Sequence, residues 1–170
     1  MLIRQEKSKD YDEIYNVVKN AFISAEHSDG NEQDLVKALR MSEAYIPELS
    51  LVAEADGRIV GHIMFTKASI KDNTVLALAP LSVLPEYQRK GIGTALIIAG
   101  HKIAKRLGYD YSIVLGSENY YPKHGYVCAD TYGIYPPFEV PNENFMAYKL
   151  NENISNITGV VKYAKVFGID

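Results

Sequence analysis

Leu81-Ser82-Val83-Leu84-Pro85-Glu86-Tyr87-Gln88-Arg89-Lys90-Gly91-Ile92-Gly93-Thr94 joins a strand-like run, Val75 to Val83, to a helical run, Ile92 to Leu107. Gly91 and Gly93, two residues apart at a strand-to-helix joint, let the backbone approach a bulky anion. The first-turn N–H groups of the helix have no intrahelical partners and point at that anion. Arg89 and Lys90 bring positive charge to the same place. The local pattern is a pyrophosphate cradle. It lacks the Gly-x-x-x-x-Gly-Lys-Ser/Thr run of a nucleotide P-loop. It also lacks the third glycine and the opening strand-helix-strand unit of a dinucleotide fold.

The helix leaving the cradle is the clearest in the chain. Ile92, Leu96, Ala99, Ile103 and Leu107 form its apolar stripe, Lys102, Lys105 and Arg106 suit its C-terminus, and Gly108 stands at the stop. Upstream, Ser50–Ala55, Ile59–Ile70 and Val75–Val83 read as a meander, with Asp56-Gly57 and Lys71-Asp72-Asn73 as turns. Pro80 lies inside the third of these strands. Proline cannot donate to a ladder, so the strand either ends early or bulges there. Before the meander come a first strand, Leu2 to Glu6, and two helices. Asp10 with Glu13 reads as a capping box for the first, which carries Tyr11, Ile14, Val18 and Phe22; Asn31 reads as the start of the second, with Leu35, Val36 and Leu39.

Downstream, Tyr111 to Leu115 is a short strand whose preceding helix implies a parallel crossover. Ser117 to His124 allows a turn or two of helix. Tyr126–Ala129 and Phe145–Leu150 read as an antiparallel pair, and Val160 to Phe167 as a last strand. The expected fold class is a mixed α/β (α+β) sheet, mostly antiparallel, with one parallel splayed pair at its centre and helices on both faces. The 170 residues suit one domain, with a core over 1–150 and an extension over 151–170.

Bulk properties narrow the function. Hydrophobic residues make up 47% and charged residues 23%, and the net charge of −3 argues against a nucleic-acid binder working through a broad basic field. No apolar run approaches the roughly 18 residues of a membrane span, and the charged N-terminus is unlike a signal peptide. A cytoplasmic protein without membrane partners is expected. Cys128 is the single cysteine, so no intrachain disulfide forms; it reads as buried filler. The four histidines show no metal-ligand spacing.

Over its whole length the Leu81–Gly93 segment, with Gln-x-x-Gly-x-Gly at Gln88 to Gly93, resembles the acyl-CoA-binding motif of the GCN5-related N-acetyltransferases. The resemblance runs from about Leu2 to Leu150. The tail and the Tyr120-Tyr121 segment are similar to those of a poorly characterised bacterial branch. The resemblance implies acetyl-CoA as co-substrate, with no metal. The pantetheine arm is expected along the backbone of Leu81 and Val83, whose side chains are expected in the core. Ser82, between them, points to the other face, as plain strand polarity or as a substrate contact. The diphosphate is expected on the N–H groups of residues 89 to 94, that is Arg89, Lys90, Gly91, Ile92, Gly93 and Thr94, with Gln88 preceding them. The Arg89 and Lys90 side chains read equally as solvated surface charges. Asn119 is placed to hold the arm as a family asparagine does.

The resemblance also assigns catalytic roles. Tyr121-Pro122-Lys123-His124-Gly125-Tyr126 fits a Tyr-x-x-x-Gly-aromatic segment whose tyrosine protonates the leaving thiolate; Tyr120 should face the opposite way. The Leu81 N–H is the expected oxyanion donor. The strand glutamate that many members use as base is missing, because Leu78, Ala79 and Pro80 occupy those places. Glu32, on the helix that borders the acceptor in the family, is the replacement considered, beside its reading as an ordinary helix-start acid. His27, His124 or a water chain are the other options. The implied activity is N-acetyl transfer to a primary amine of a small molecule or an exposed amino group, by direct attack in a ternary complex, in a monomer or homodimer. A non-catalytic acyl-CoA sensor is the competing reading, and a nucleotide-phosphate binder the third. Acidic residues of the helix 1–2 region and the 130–145 excursion (Glu26, Asp29, Glu32, Asp34, Asp130, Glu139, Glu143) suit a cationic acceptor or simple solubility.

Overall fold

A computed structural model describes residues 1–23, 28–152 and 157–169. Seven strands form one sheet in the order β1-β2-β3-β4-β5-β8-β6. They are β1 (Leu2–Gln5), β2 (Ser50–Ala55), β3 (Arg58–Ile70), β4 (Asn73–Val83), β5 (Tyr111–Leu115), β6 (Val127–Cys128) and β8 (Phe145–Lys149). All neighbours run antiparallel except β4 and β5. A second, two-stranded sheet pairs β7 (Ile134–Tyr135) with β9 (Gly159–Val160) in parallel. Among the described residues, three α-helices complete the fold: α1 (Tyr11–Phe22), α2 (Glu32–Arg40) and α3 (Ile92–Arg106). Among the described residues, no helix is long and apolar enough to cross a membrane.

The two hairpins sit where the turn residues require. Asp56 and Gly57 both have positive φ, and Lys71 turns β3 into β4. The bulge expected at Pro80 is present: Ile63 faces Leu81 while Phe65 faces Leu78, so β4 carries one residue more than β3 over that interval. Beside it, β4 pairs with β5 only at Leu76–Ser112 and Ala77–Ile113. Beyond Ala77 the two parallel strands part.

Side chains of β3 alternate between two helical layers. A Cβ on Gly61 would meet Leu96 and Ile92 at 3.1 and 3.2 Å, and one on Gly100 would collide with the Phe65 ring, so the odd positions face α3. The even positions face α1 and α2, where Arg40 of α2 reaches Glu6 and through it His62. The buried face of α3 is Ile92, Leu96, Ile97, Gly100 and Ala104, rotated from the expected stripe, and Leu107 is exposed.

Four further sequence expectations change. The capping box of α1 does not form: Asp10 takes two hydrogen bonds from Arg4 and one from the Lys7 N–H, and Glu13 accepts from the Ile59 N–H instead. Long-range charge pairing has displaced the local cap. The expected strand Val160–Phe167 shrinks to β9, an isolated bridge between Lys162 and Ser69, and a 3-10 turn at Lys165–Phe167. Ile157 and Val161 of this tail are nevertheless buried in a second apolar cluster with Ile70, Val75, Tyr111 and Ile134. Leu81 and Val83 are half-buried rather than core, because the parting of β5 leaves their flank open. Cys128 is half-buried on the short strand β6.

Candidate active site

The parted end of β4 leads straight into the cradle. Pro85–Tyr87 makes a 3-10 turn, Arg89 has φ 62°, and Gly91 has φ 84° as the residue preceding α3. A side chain at Gly91 would be strained by that backbone even though the space around it is open. At Gly93 a Cβ would run into the Tyr120 hydroxyl. Gln88 braces the loop, its amide Nε2 donating to the Val83 carbonyl at 3.0 Å. Tyr87 locks the other side through Asp56, hydroxyl to Oδ2 2.8 Å. Arg89, Lys90 and Gly91 are exposed, and Gly93 and Thr94 are half-buried. The free first-turn N–H groups, two exposed cations and an open strand edge therefore share one groove.

Tyr120 and Tyr121 close the groove from the β5 side. Ser117 accepts backbone bonds from both residues, and the Tyr121–His124 turn follows. Their rings stand perpendicular with centroids 5.1 Å apart. Tyr120 lies against Gly93 and Thr94. Tyr121 lies against Gly116 and, edge-on, against Tyr126. The two tyrosines thus diverge. Burial pushes the Tyr121 hydroxyl well above the ordinary tyrosine range, so it keeps its proton at neutral pH. Asn119 is exposed at the turn. The segment is anchored by Tyr126, whose buried hydroxyl bonds Ser112 Oγ at 2.8 Å and His101 Nε2 at 2.9 Å. His101 is also stacked on Tyr148, and burial pushes it down to about 4.

On the opposite side of the sheet, Glu32 opens α2. Its carboxylate accepts the Ser28 hydroxyl at 2.7 and 2.8 Å and lines a cleft of about 320 Å³ with Lys19, Phe22, Asp29 and Gln33. A second cleft, about 270 Å³, lies between α1 and α2 beside Tyr15 and Arg40. His27 and Glu26 lie outside the described residues. His124 is half-buried against the Tyr120 ring.

Sequence reading missed a charged cluster beneath this face. Glu6 is fully buried, and Arg40 forks onto it, Nε to Oε2 2.8 Å and Nη2 to Oε1 3.0 Å. Tyr45 donates to Oε2 at 2.6 Å, and His62 Nε2 lies 3.1 Å from Oε1. Burial pushes the Glu6 carboxyl up, but the bonds from His62, Arg40 and Tyr45 outweigh it and hold it far below the ordinary carboxylate range. The one signal was His62, a titratable residue inside an apolar strand.

Residues 11–126 match the profile of the Acetyltransferase (GNAT) family. The chain is 39% identical over 141 residues to the uncharacterized N-acetyltransferase YjhQ of Escherichia coli K12, spanning 78% of each chain. It is 28% identical over 171 residues to the uncharacterized N-acetyltransferase YhbS of the same strain, spanning 98% of each. A GNAT family acetyltransferase from Brucella melitensis, solved with acetyl-CoA, superposes with a TM-score of 0.81 at 32% identity, over 98% of this chain and 97% of that one. Escherichia coli YhbS, solved with CoA, shares the fold with a TM-score of 0.89 at 24% identity, over 98% and 91%.

Proposed function

Because this chain belongs to the acetyltransferase (GNAT) family, we propose that it seats acetyl-CoA in the groove between β4 and β5 and acetylates a primary amine, of a small molecule or an exposed amino group, by direct attack in a ternary complex. The observation that carries this reading is the parting of β4 from β5 after Ala77, directly upstream of the Gly91–Gly93 cradle. A strand edge with free backbone groups suits an amide-rich arm, and the helix start suits a diphosphate. Leu81 and Val83 would hold the arm through their backbone, and residues 89 to 94 the diphosphate. The complex of the Brucella relative with acetyl-CoA supports the same seat.

The roles of this chain's residues follow from position. The Leu81 N–H, at the bulge, would stabilise negative charge on the reacting carbonyl oxygen. Tyr121 would supply the proton for the departing thiolate. Glu32, at the mouth of the cleft by α2, would attract a cationic acceptor.

The test is ligand-dependent melting followed by an amine panel. CoA and acetyl-CoA should raise the melting temperature, by about 2.7 kcal/mol of stabilisation at a hundred times Kd. Gly93→Val should abolish that shift with the fold retained. Equal stabilisation by ATP, or none by millimolar CoA, would overturn the reading. With an amine that releases thiol, Tyr121→Phe should lower kcat toward the low end of the ~10²–10⁴ range of general acids, and Tyr120→Phe should do less.

A further inference from the structure

The cleft between α1 and α2 has a volume of about 270 Å³. Pockets for drug-sized ligands run to roughly 300–1,000 Å³, so this one suits a compact molecule. Its floor is apolar, formed by the buried Ile14 and Val36. Two tyrosines one turn apart on α1 wall it. Tyr11 is held by the Arg40 guanidinium, 3.8 Å above its ring, and Tyr15 by its hydroxyl bond to Asp34 Oδ1 at 3.0 Å. Gln33 stands at one end, its amide donating to the Gly30 carbonyl at 2.9 Å. Met41, 86% exposed, is the lip at the other.

Arg40 gives this cleft its chemistry. Its side chain is only 10% exposed. A guanidinium carries five N–H donors, and Glu6 takes one from Nε and one from Nη2. Those two lie on one edge of the plane. Nη1, across the plane from Nε, bonds nothing among the described residues, and Arg40 lines the cleft. A nearly buried guanidinium with a free edge is a receptor for a carboxylate, since unmade bonds to a charged donor are costly and the fork matches two carboxylate oxygens. Lys37, one turn earlier on α2, lines the same cleft, is exposed and has no ion pair among the described residues. Across from it, α1 contributes Asp12, also exposed and also without an ion pair there. Facing helices thus present opposite charges that do not bridge each other.

We propose that this cleft binds a free α-amino acid with an apolar side chain. The carboxylate takes Arg40 Nη1 and Lys37, the ammonium takes Asp12, and the side chain lies on Ile14 and Val36 between the tyrosines. The charge count selects a dipolar ligand. Glu6 already balances Arg40, so Lys37 and Asp12 match one negative and one positive group. A simple anion would meet Asp12, and a simple cation would meet Lys37 and Arg40. Bound there, the amino acid ties α1 to α2. The site adjoins the Glu32 cleft at Gln33, which lines both, and it does not rest on the acetyl-transfer reading.

The test is an NMR titration of the full chain labelled at its methionine methyls. Met41 reports on the cleft, and the buried Met64 and Met146 serve as references. L-leucine, L-valine and L-phenylalanine are added in turn. At least one should move Met41 saturably at millimolar concentration and leave Met64 and Met146 in place. The amide of that amino acid, which lacks the carboxylate, and the analogue lacking the amine should each bind about tenfold more weakly or worse. Arg40→Ala would strand Glu6 in the core, so the variants are the exposed Asp12→Asn and Lys37→Gln, which should fold as the parent does. Asp12→Asn should weaken the amino acid and spare the analogue without the amine. Lys37→Gln should weaken the amino acid and spare the amide. No saturable shift of Met41 with any of the three, equal binding of the truncated analogues, or binding that both variants leave unchanged overturns the inference.

Discussion

The two faces of β3 are built by opposite means. Its odd positions meet α3 through notches and aliphatic surface, with Gly61 and Gly100 letting helix and strand close up against Leu96 and Phe65. Its even positions add the polar His62 and Thr66 to the aliphatic Val60 and Met64, with the buried Glu6 bonded to His62 and Ser82 opposite it. Tight apolar contact fixes where α3 starts, and so where the cradle sits. The other face holds the buried Glu6–Arg40–His62 cluster, while His101, also titratable, sits on α3 against Phe65. One strand thus serves as a rigid mount on one side and holds a buried charged cluster on the other.

The contrast breaks most visibly at Glu6. Glu6→Ala leaves Arg40 buried without its acid, and removing one partner of a buried pair costs about 3–5 kcal/mol. Urea unfolding should show that loss; a change under about 1 kcal/mol would mean the cluster is far wetter than its burial indicates. On the other face, Gly100→Val drives a branched side chain into Phe65 and should cost about 1–3 kcal/mol. Phe65→Leu in the same chain should relieve part of it, and simple additivity would show that the two do not touch in solution.

Acid reaches the groups in different pH ranges, with the same sign. His101 is lowered from 6.5 to about 4 in the fold, so between those values the unfolded chain binds more protons. Stability should therefore fall as pH drops from 6.5 to about 4, then level off as far as His101 is concerned. His62, also lowered by burial, adds a loss of the same sign. Glu6, depressed, contributes stability that is full above about 4.5 and drains away below it. His101→Asn should flatten the slope between pH 6.5 and 4; an unchanged slope would put the titration elsewhere. The smallest effect is at Ser82. Ser82→Ala deletes a hydroxyl that has no partner, so the melting point should hold or rise slightly, with a change within about 0.5 kcal/mol, whatever happens to turnover. A clear loss of stability would mean that the hydroxyl is paired after all.

What could be read from the chain beforehand divides along the same line. The cradle, both hairpin turns, the Pro80 bulge and the parallel crossover come from neighbours in sequence, where glycine, proline and helix-start chemistry act locally. The polar cluster does not. Glu6 and His62 lie 56 positions apart, and Arg40 and Glu6 lie 34 apart. Nothing at any of those positions announces its partner. The failed capping box makes the same point, since Asp10 has the right type and spacing and Arg4 claims it. The expected stripe on α3 omitted Gly100, because an empty position reads as apolar nothing until a ring fills it. The strand expected over Val160 to Phe167 is instead the short β9, a single bridge from Lys162 to Ser69 and a 3-10 turn.

The bulge in β4 is a single surplus residue, yet the groove depends on it. Losing one codon around Ala79–Pro80 would let β4 run in step with β3 from Leu78 onward and let β5 follow it beyond Ile113. The result would be a more regular sheet with nowhere to hold a substrate. Under the proposed seat for acetyl-CoA, three bases separate a chain with that groove from one without it. Drift toward the better sheet is opposed only by the value of the reaction.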